Sequence, residues 1–152
     1  MKKLIIDKPG KHEINLSLNK EGERLEWLGI IEARSEGEYE LDLVITHLVS
    51  DTFGRVEVRG IAENGASVKV SGLVRIEKQA QNTDSFLSMK ILLLDKKSNA
   101  TAKPELEILA NKVKASHSAS VGKIDEEQLF YLASRGVEES EAKNMIIKGF
   151  LN

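Results

Sequence analysis

The sequence predicts a mainly β fold that ends in a pair of helices. Many short segments alternate between apolar and polar residues, and new segments start roughly every 10–18 residues with turn residues between them. After residue 124 the apolar spacing changes to that of a helix. Alternation places one face of each strand in a core and the other in water. The pattern therefore predicts a sandwich, a barrel or a solenoid, closed by helices.

Seven segments between about residues 13 and 109 have the composition of strands. They are Leu25–Ala33, Tyr39–Ile45, Arg55–Arg59, Ser67–Ser71, Leu73–Ile76, Phe86–Leu94 and Glu105–Leu109. The breaks contain Gly, Asn, Ser or Asp, as in 36–37, 51–54, 63–65, 82–85 and 97–102. Asn64-Gly65 between two alternating runs favours an antiparallel hairpin. A single apolar face on several strands equally suits the stacked rungs of a solenoid. Periodicity alone leaves both arrangements open.

Two helices are predicted after the strands. Asp125 and Gln128 form a D-x-x-Q capping pattern at the start of the first helix, and Gly136 is expected just past its end. The second helix opens with Glu138-Glu139, whose charges suit a helix N-terminus. Its predicted apolar face consists of Ala142, Met145, Ile146 and Phe150. We expect one domain, with residues 1–124 as a β body and residues 125–152 as its helical segment.

Composition excludes several functional classes. The 152 residues include 22 basic and 24 acidic side chains, a net charge of −2, and only 5% aromatics, so we expect no nucleic-acid partner. The chain has no Cys, which excludes disulfides, zinc ribbons and thiol nucleophiles. No apolar run approaches the roughly 18 residues of a membrane span or the roughly 7–15 of a signal-peptide core. A cytoplasmic protein without a membrane partner is predicted.

Catalytic signatures are absent as well. The sequence contains no P-loop, no G-x-S-x-G and no H-E-x-x-H, so no enzyme and no catalytic residue is predicted. Helix–turn–helix spacing fits 125–150, but the acidic start of its second helix would repel DNA. His117 has small polar neighbours and is a candidate iron ligand; the alternative is a surface or loop histidine held by a backbone carbonyl. The acidic run at 125–127 could bind a metal, but the N-terminus of a helix explains it more simply.

The C-terminal half resembles the SufB/SufD family. The residues that carry the resemblance are Lys103–Ile108, Val113–His117, Val121–Leu132, Ser134–Gly136 and Glu141-Ala142. Upstream, Gly72–Ile76, Gln81–Asp84 and Leu92–Leu94 are similar to preceding rungs of the family. The resemblance is strong over residues 72–152 and continues more weakly back to about residue 13.

This resemblance implies a short right-handed parallel β-helix with a helical C-terminal pair. Strands from Leu25 to Leu109 would then stack as parallel rungs, with Leu41, Leu43 and Ile45 facing inward. Family members form a scaffold for iron–sulfur cluster assembly, in which B-type and D-type chains pair through the β-helix. An ABC-type ATPase, SufC, docks on the C-terminal helices. The implied docking residues lie on the first helix and are Glu126, Glu127, Phe130, Tyr131 and Arg135.

The family's D-type histidine falls at His117, in a motif that members commonly write K-C-S-H-G-A. Here Ala115 replaces the motif cysteine and Ser118 replaces the glycine, while the B-type cysteine position falls near Met89. His117 is therefore the implied cofactor-binding and metal-binding residue, acting with ligands from a partner chain. No cluster bound stably by this chain alone is expected, only a transient one shared with a SufB-like chain or a second copy. With these departures the chain resembles a D-type half or a reduced paralogue more than a complete scaffold. The alternative function is a structural or regulatory interaction module that keeps the fold without cluster chemistry.

Overall fold

Nine strands and two helices make up the chain, whose computed structural model describes all 152 residues. The strands are β1 Lys2–Ile6, β2 Gly10–Leu18, β3 Arg24–Ala33, β4 Gly37–His47, β5 Phe53–Ala62, β6 Ala66–Ile76, β7 Thr83–Leu93, β8 Asn99–Ile108 and β9 Val113–Lys123. The helices are α1 Glu126–Ser134 and α2 Glu139–Leu151. No helix is both long and apolar enough to cross a membrane.

The strands form a parallel β-solenoid of about four turns, which confirms the predicted fold class. Odd-numbered strands build sheet A in the order β1-β3-β5-β7-β9, and even-numbered strands build sheet B in the order β2-β4-β6-β8. Every neighbouring pair is parallel; Arg24 of β3, for example, pairs with Phe53 of β5, and Phe53 pairs with Asp84 of β7. Each turn of the chain therefore contributes one strand to each sheet.

Alternation decides which side chains fill the space between the two sheets. In β4, Leu41, Leu43 and Ile45 are fully or almost fully buried, as predicted, while Glu40 and Asp42 face outward. The same alternation in the other inner strands produces one core cluster between the sheets, which includes Trp27 and Met89. Strands that hold a single apolar row are stable here because rungs above and below cover both edges.

The predicted antiparallel hairpin alternative is wrong. Asn64 and Gly65, both with positive φ, form a turn that carries the chain from β5 in sheet A to β6 in sheet B. The two flanking strands do not pair with each other; each pairs with a strand from a neighbouring turn. A tight Asn-Gly turn suits such a corner as well as a hairpin, because both need left-handed backbone.

The strands differ from the sequence pattern in number and in extent. Ser67–Ser71 and Leu73–Ile76 belong to one strand, β6, because Gly72 between them continues the inward row and leaves space for Met89. β8 begins at Asn99, inside the predicted break at 97–102. β1, β2 and β9 are not among the predicted segments; in β9 the alanines and serines give almost no alternation in hydropathy.

A second, smaller core lies on the outer face of sheet A. Leu28 and Ile30 of β3 and Ile61 of β5 point outward there and are buried under Ile147 and Leu151 of α2. The predicted apolar face of α2 is therefore only partly correct. Ala142 is buried, but Met145 is 50% exposed, and Ile146 and Phe150 are only partly covered. The helix is rotated from the predicted orientation because the outward-facing apolar side chains of sheet A determine which face of α2 is buried.

Both ends of α1 follow their local signals. Asp125 is the N-cap, and its side chain accepts hydrogen bonds from the backbone N–H groups of Glu127 and Gln128. At the C-terminal end, Gly136 adopts positive φ, its N–H bonds to the carbonyl of Ala133, and the N–H of Val137 bonds to that of Leu132. This is a Schellman ending. The sequence-predicted cap and stop are both confirmed.

Candidate functional site

His117 lies on β9, the last strand of sheet A, rather than in a loop. It pairs with Leu87 of β7, which is fully buried and faces the core. His117 therefore belongs to the inward row of its strand. It is nevertheless exposed, because no further rung lies over β9. The imidazole is thus held at the open end of the solenoid core, where a molecule that adds to this end would meet it.

The neighbours of His117 leave its ring accessible. Ala115 and Ala119 flank it along the same inward row, and both are too small to cover an imidazole. Ser118 points to the opposite face, where its hydroxyl donates a hydrogen bond to Ser88 Oγ at 3.2 Å. Met89, at the position matched to a cysteine in the resemblance, is fully buried beneath Ala119. The rim of the solenoid, by which we mean its open end at β9, thus offers one accessible nitrogen ligand, the imidazole of His117.

No group of three or more His, Cys, Asp or Glu side chains in the chain is arranged to hold a metal ion. His12 and His47 lie on other strands, β2 and β4, and do not join His117. A single imidazole leaves most coordination positions of iron unfilled. Any iron-containing group at His117 would therefore take its remaining ligands from outside this chain.

His47 is the centre of a buried polar network that the sequence did not reveal. Its Nδ1 lies 2.8 Å from Thr52 Oγ1, and its Nε2 lies 3.0 Å from Ser85 Oγ. Thr83 extends the network, with its Oγ1 3.3 Å from that of Thr52. Gly54 makes room for the ring, since a Cβ there would lie 3.0 Å from it. Burial lowers the pKa of His47 from 6.5 to about 4, so the ring is neutral and bonded on both nitrogens.

The free energy of unfolding should fall as the pH drops from 6.5 toward 4. In that window the unfolded state binds a proton at His47 that the folded state excludes. The stabilising contribution of the neutral ring is therefore complete above pH 6.5 and is lost progressively as the pH falls toward 4. The expected loss is up to about 3 kcal/mol. Urea unfolding at pH 7.5, 5.5 and 4.5 measures it. In His47→Leu the pH slope over this window should shrink, although the variant is less stable at pH 7.5. An unchanged slope would contradict the assignment.

All five predicted docking residues lie on α1 or at its C-cap. Phe130 is 76% exposed and Tyr131 is 57% exposed, and none of the residues of α1 is buried. Glu126 and Glu127 form the acidic first turn, and the guanidinium of Arg135 lies 5.3 Å from the centroid of the Tyr131 ring. The helix thus presents two largely exposed aromatic rings with carboxylates beside them.

α2 connects this exposed helix to the solenoid. Ile147 and Leu151 pack on sheet A, and Lys143 Nζ lies 3.3 Å from a carboxylate oxygen of Glu63, which also binds Arg34 at 2.9 Å. α1 packs mainly against α2. A shallow groove between the two helices is lined by Asp125, Glu127, Gln128, Tyr131, Leu132 and Ile146. Gln128 and Ile146 were not predicted as site residues, because the sequence pattern placed Ile146 in the core.

Comparison with known proteins identifies relatives over almost the whole chain. A family model described as "SUF system FeS cluster assembly, SufBD core domain" matches residues 7–150. The iron–sulfur cluster assembly protein SufB of Bacillus subtilis (strain 168) is 34% identical over 134 residues, which cover 88% of this chain and 29% of SufB. The match to SufD of Escherichia coli (strain K12) is 42% identical over 90 residues, 59% of this chain and 21% of SufD.

A SufBD family protein of Staphylococcus aureus (strain USA300) is 35% identical over 105 residues, which cover 69% of this chain and 23% of that protein. The chain thus spans less than a third of the length of each of these relatives. The region matched by the family model includes strands β2 to β9, with His117 on the last of them, helix α1 and all but the last residue of α2.

Proposed function

The chain belongs to the SufBD family, and we propose on that basis that it serves as a non-enzymatic scaffold component in iron–sulfur cluster assembly. The observation that carries the proposal is the SufBD core match over residues 7–150. It is supported by the names of the SufB and SufD relatives, which are those of iron–sulfur cluster assembly proteins. In this proposal the cluster is cargo that passes through a complex, and the chain supplies surfaces and one ligand.

The first surface is α1, which we assign to a SufC-like ABC-type ATPase. Exposed aromatic rings are the side chains that contribute most to protein interfaces, because they bury large apolar areas at low entropic cost. Phe130 and Tyr131 fit that role, and Glu126 and Glu127 beside them favour a basic partner surface. Since α2 is fixed to sheet A by Ile147, force or motion in the ATPase would be transmitted through α2 to the solenoid.

The second surface is the open end of the solenoid, which we assign to a SufB-like chain or a second copy. β8 and β9 are the last strands of their sheets, so each has an edge without a pairing strand. Unpaired edges invite another chain. The exposed inward row of β9 at this end includes Ala119 and Val121 beside His117. Pairing there would cover apolar side chains and bring partner ligands to the imidazole.

Ala119→Arg should dissociate this dimer. The substitution places a charge on the inward row of β9, where pairing would bury it and bring it near its copy; juxtaposed like charges cost several kcal/mol. Sedimentation velocity at roughly tens of micromolar should show the unmodified chain as a dimer and the variant as a monomer. Ser120→Arg, on the outward face of the same strand, is the matched control and should stay dimeric. A monomeric unmodified chain would refute the self-pairing.

The experiment that tests the function combines purified components. The chain, the ABC-type ATPase and the longer SufB-like protein from the same cell are mixed, and cluster formation is followed by its visible absorption with and without the chain. We expect the chain to bind the ATPase and to raise cluster yield. The absence of Cys favours one alternative, an interaction module without cluster chemistry. That alternative predicts ATPase binding with an unchanged cluster yield. Failure to bind either protein would overturn both.

A further inference from the structure

Half of the outer face of sheet A has no cover. α2 packs over the carboxyl-terminal halves of β3 and β5, at Leu28, Ile30 and Ile61. The amino-terminal halves of β3, β5 and β7 stay bare. Their outward side chains include four residues that form a continuous row, which we call the Arg–Phe ladder: Arg24, Phe53, Arg55 and Phe86. It lies outside both surfaces assigned above.

Cation–π contacts hold the ladder together. The guanidinium carbon of Arg24 lies 4.0 Å from the centroid of the Phe53 ring. That of Arg55 lies 5.9 Å from the centroid of Phe53 and 5.9 Å from that of Phe86. Both arginines are exposed and both rings are half-buried. Two strand pairings set this up: β3 with β5 places Arg24 directly opposite Phe53, and β5 with β7 places Arg55 directly opposite Phe86.

The guanidinium groups of the ladder are positioned but chemically unused. Neither Arg24 nor Arg55 takes part in any of the chain's ion pairs. A guanidinium that contacts a ring through its face keeps its N–H donors, which lie in its plane, free for an anion. Contact with the ring also restricts the side chain before any ligand arrives, so less rotamer entropy is lost on binding.

We propose that the Arg–Phe ladder is a docking site for an acidic segment of a partner protein, one that combines carboxylates with aromatic side chains. Carboxylates match the two free guanidinium forks, each able to make a bidentate contact. Aromatic side chains match the exposed parts of the two rings: Phe53 lies between the two guanidinium groups, and Phe86 lies beside that of Arg55. Arginine and aromatic residues are also the types enriched at the centres of protein interfaces.

Neighbouring charges favour a protein over a nucleic acid. Glu26 lies directly opposite Arg55, and Asp84 directly opposite Phe53; both carboxylates are exposed on the same face. They repel a continuous phosphate backbone, whereas a protein segment can place polar or apolar side chains beside them. The net charge of −2 adds no general attraction for a polyanion.

Two synthetic peptides and one oligonucleotide test the site on the full chain. The peptides are a 12-residue segment of alternating Glu and Phe and the same segment with Gln in place of Glu; the third probe is a 10-nucleotide single-stranded oligothymidylate. Binding is followed by amide chemical shifts. We expect the acidic peptide to shift signals of β3, β5 and β7 around the ladder, and R24Q/R55Q to weaken its binding at least tenfold.

The control removes the same charge elsewhere. Lys69→Gln with Lys103→Gln lies on the outer face of sheet B and should leave peptide binding unchanged. Equal binding of the glutamine peptide, tighter binding of the oligonucleotide, or no shift around the ladder would each overturn the proposal. All four substitutions are on exposed side chains, so the fold should persist. The substitutions also lie outside α1, so R24Q/R55Q should still bind the ATPase. Loss of peptide binding with ATPase binding intact would separate this proposal from the function proposed above.

Discussion

Phe130→Ala combined with Tyr131→Ala should reduce binding of the ABC-type ATPase at least 100-fold. Each ring is more than half exposed, so its removal costs the fold little. Truncating a central aromatic residue of an interface typically costs about 2 kcal/mol or more, and two such losses exceed a factor of 100. Isothermal titration of the purified ATPase with the unmodified chain and with the variant measures the change.

The matched control for this experiment is Leu109→Ala, which truncates another half-exposed apolar side chain, in the turn after β8. It should bind the ATPase like the unmodified chain. Reversing the charges at Glu126 and Glu127 to lysine should weaken binding of the ATPase. The loss of affinity should be larger at low salt, because unfavourable charge pairs are then less screened. Circular dichroism checks that α1 persists. Full affinity in the double alanine variant would exclude α1 as the docking surface.

His117→Ala should abolish cluster formation in the reconstituted complex while leaving the chain folded and paired. The imidazole is exposed at the rim of the core, so its loss should change the free energy of unfolding by no more than about 0.5 kcal/mol. A cluster that depends on partner thiolates plus this nitrogen would lose that ligand, since β9 has no other histidine and the chain has no cysteine. Cluster yield from the visible absorption, at equal protein stability, is the measurement.

Lys114→Ala, which removes an exposed outward side chain three residues earlier on the same strand, is the control and should leave the yield unchanged. A histidine that only stabilised the strand would give the opposite result, a lower free energy of unfolding without a specific cluster defect. Equal yields from the unmodified chain and His117→Ala, at equal stability, would remove His117 from the site.

Features that depend on neighbours along the chain can be predicted from the sequence. Alternation identified the inward row of β4, since successive side chains of a strand point to opposite faces. Asp125 and Gly136 marked both ends of α1, because capping involves backbone groups within a few residues. The motif around His117 and the block 121–132 identified the family, which the comparison over residues 7–150 supports.

The arrangement of these strands and helices depends on tertiary contacts. Alternation is the same in parallel and antiparallel sheets, so the pairing of β5 with β7 across a whole turn could not be derived from it. β9 was hidden because small side chains carry no hydrophobic signal, and only its pairing with β7 makes it a strand that holds His117 at the rim. Likewise, Ile147 and Leu151 became the buried stripe of α2 because outward-facing side chains on sheet A receive them. These contacts join residues far apart in sequence, and no local pattern encodes them.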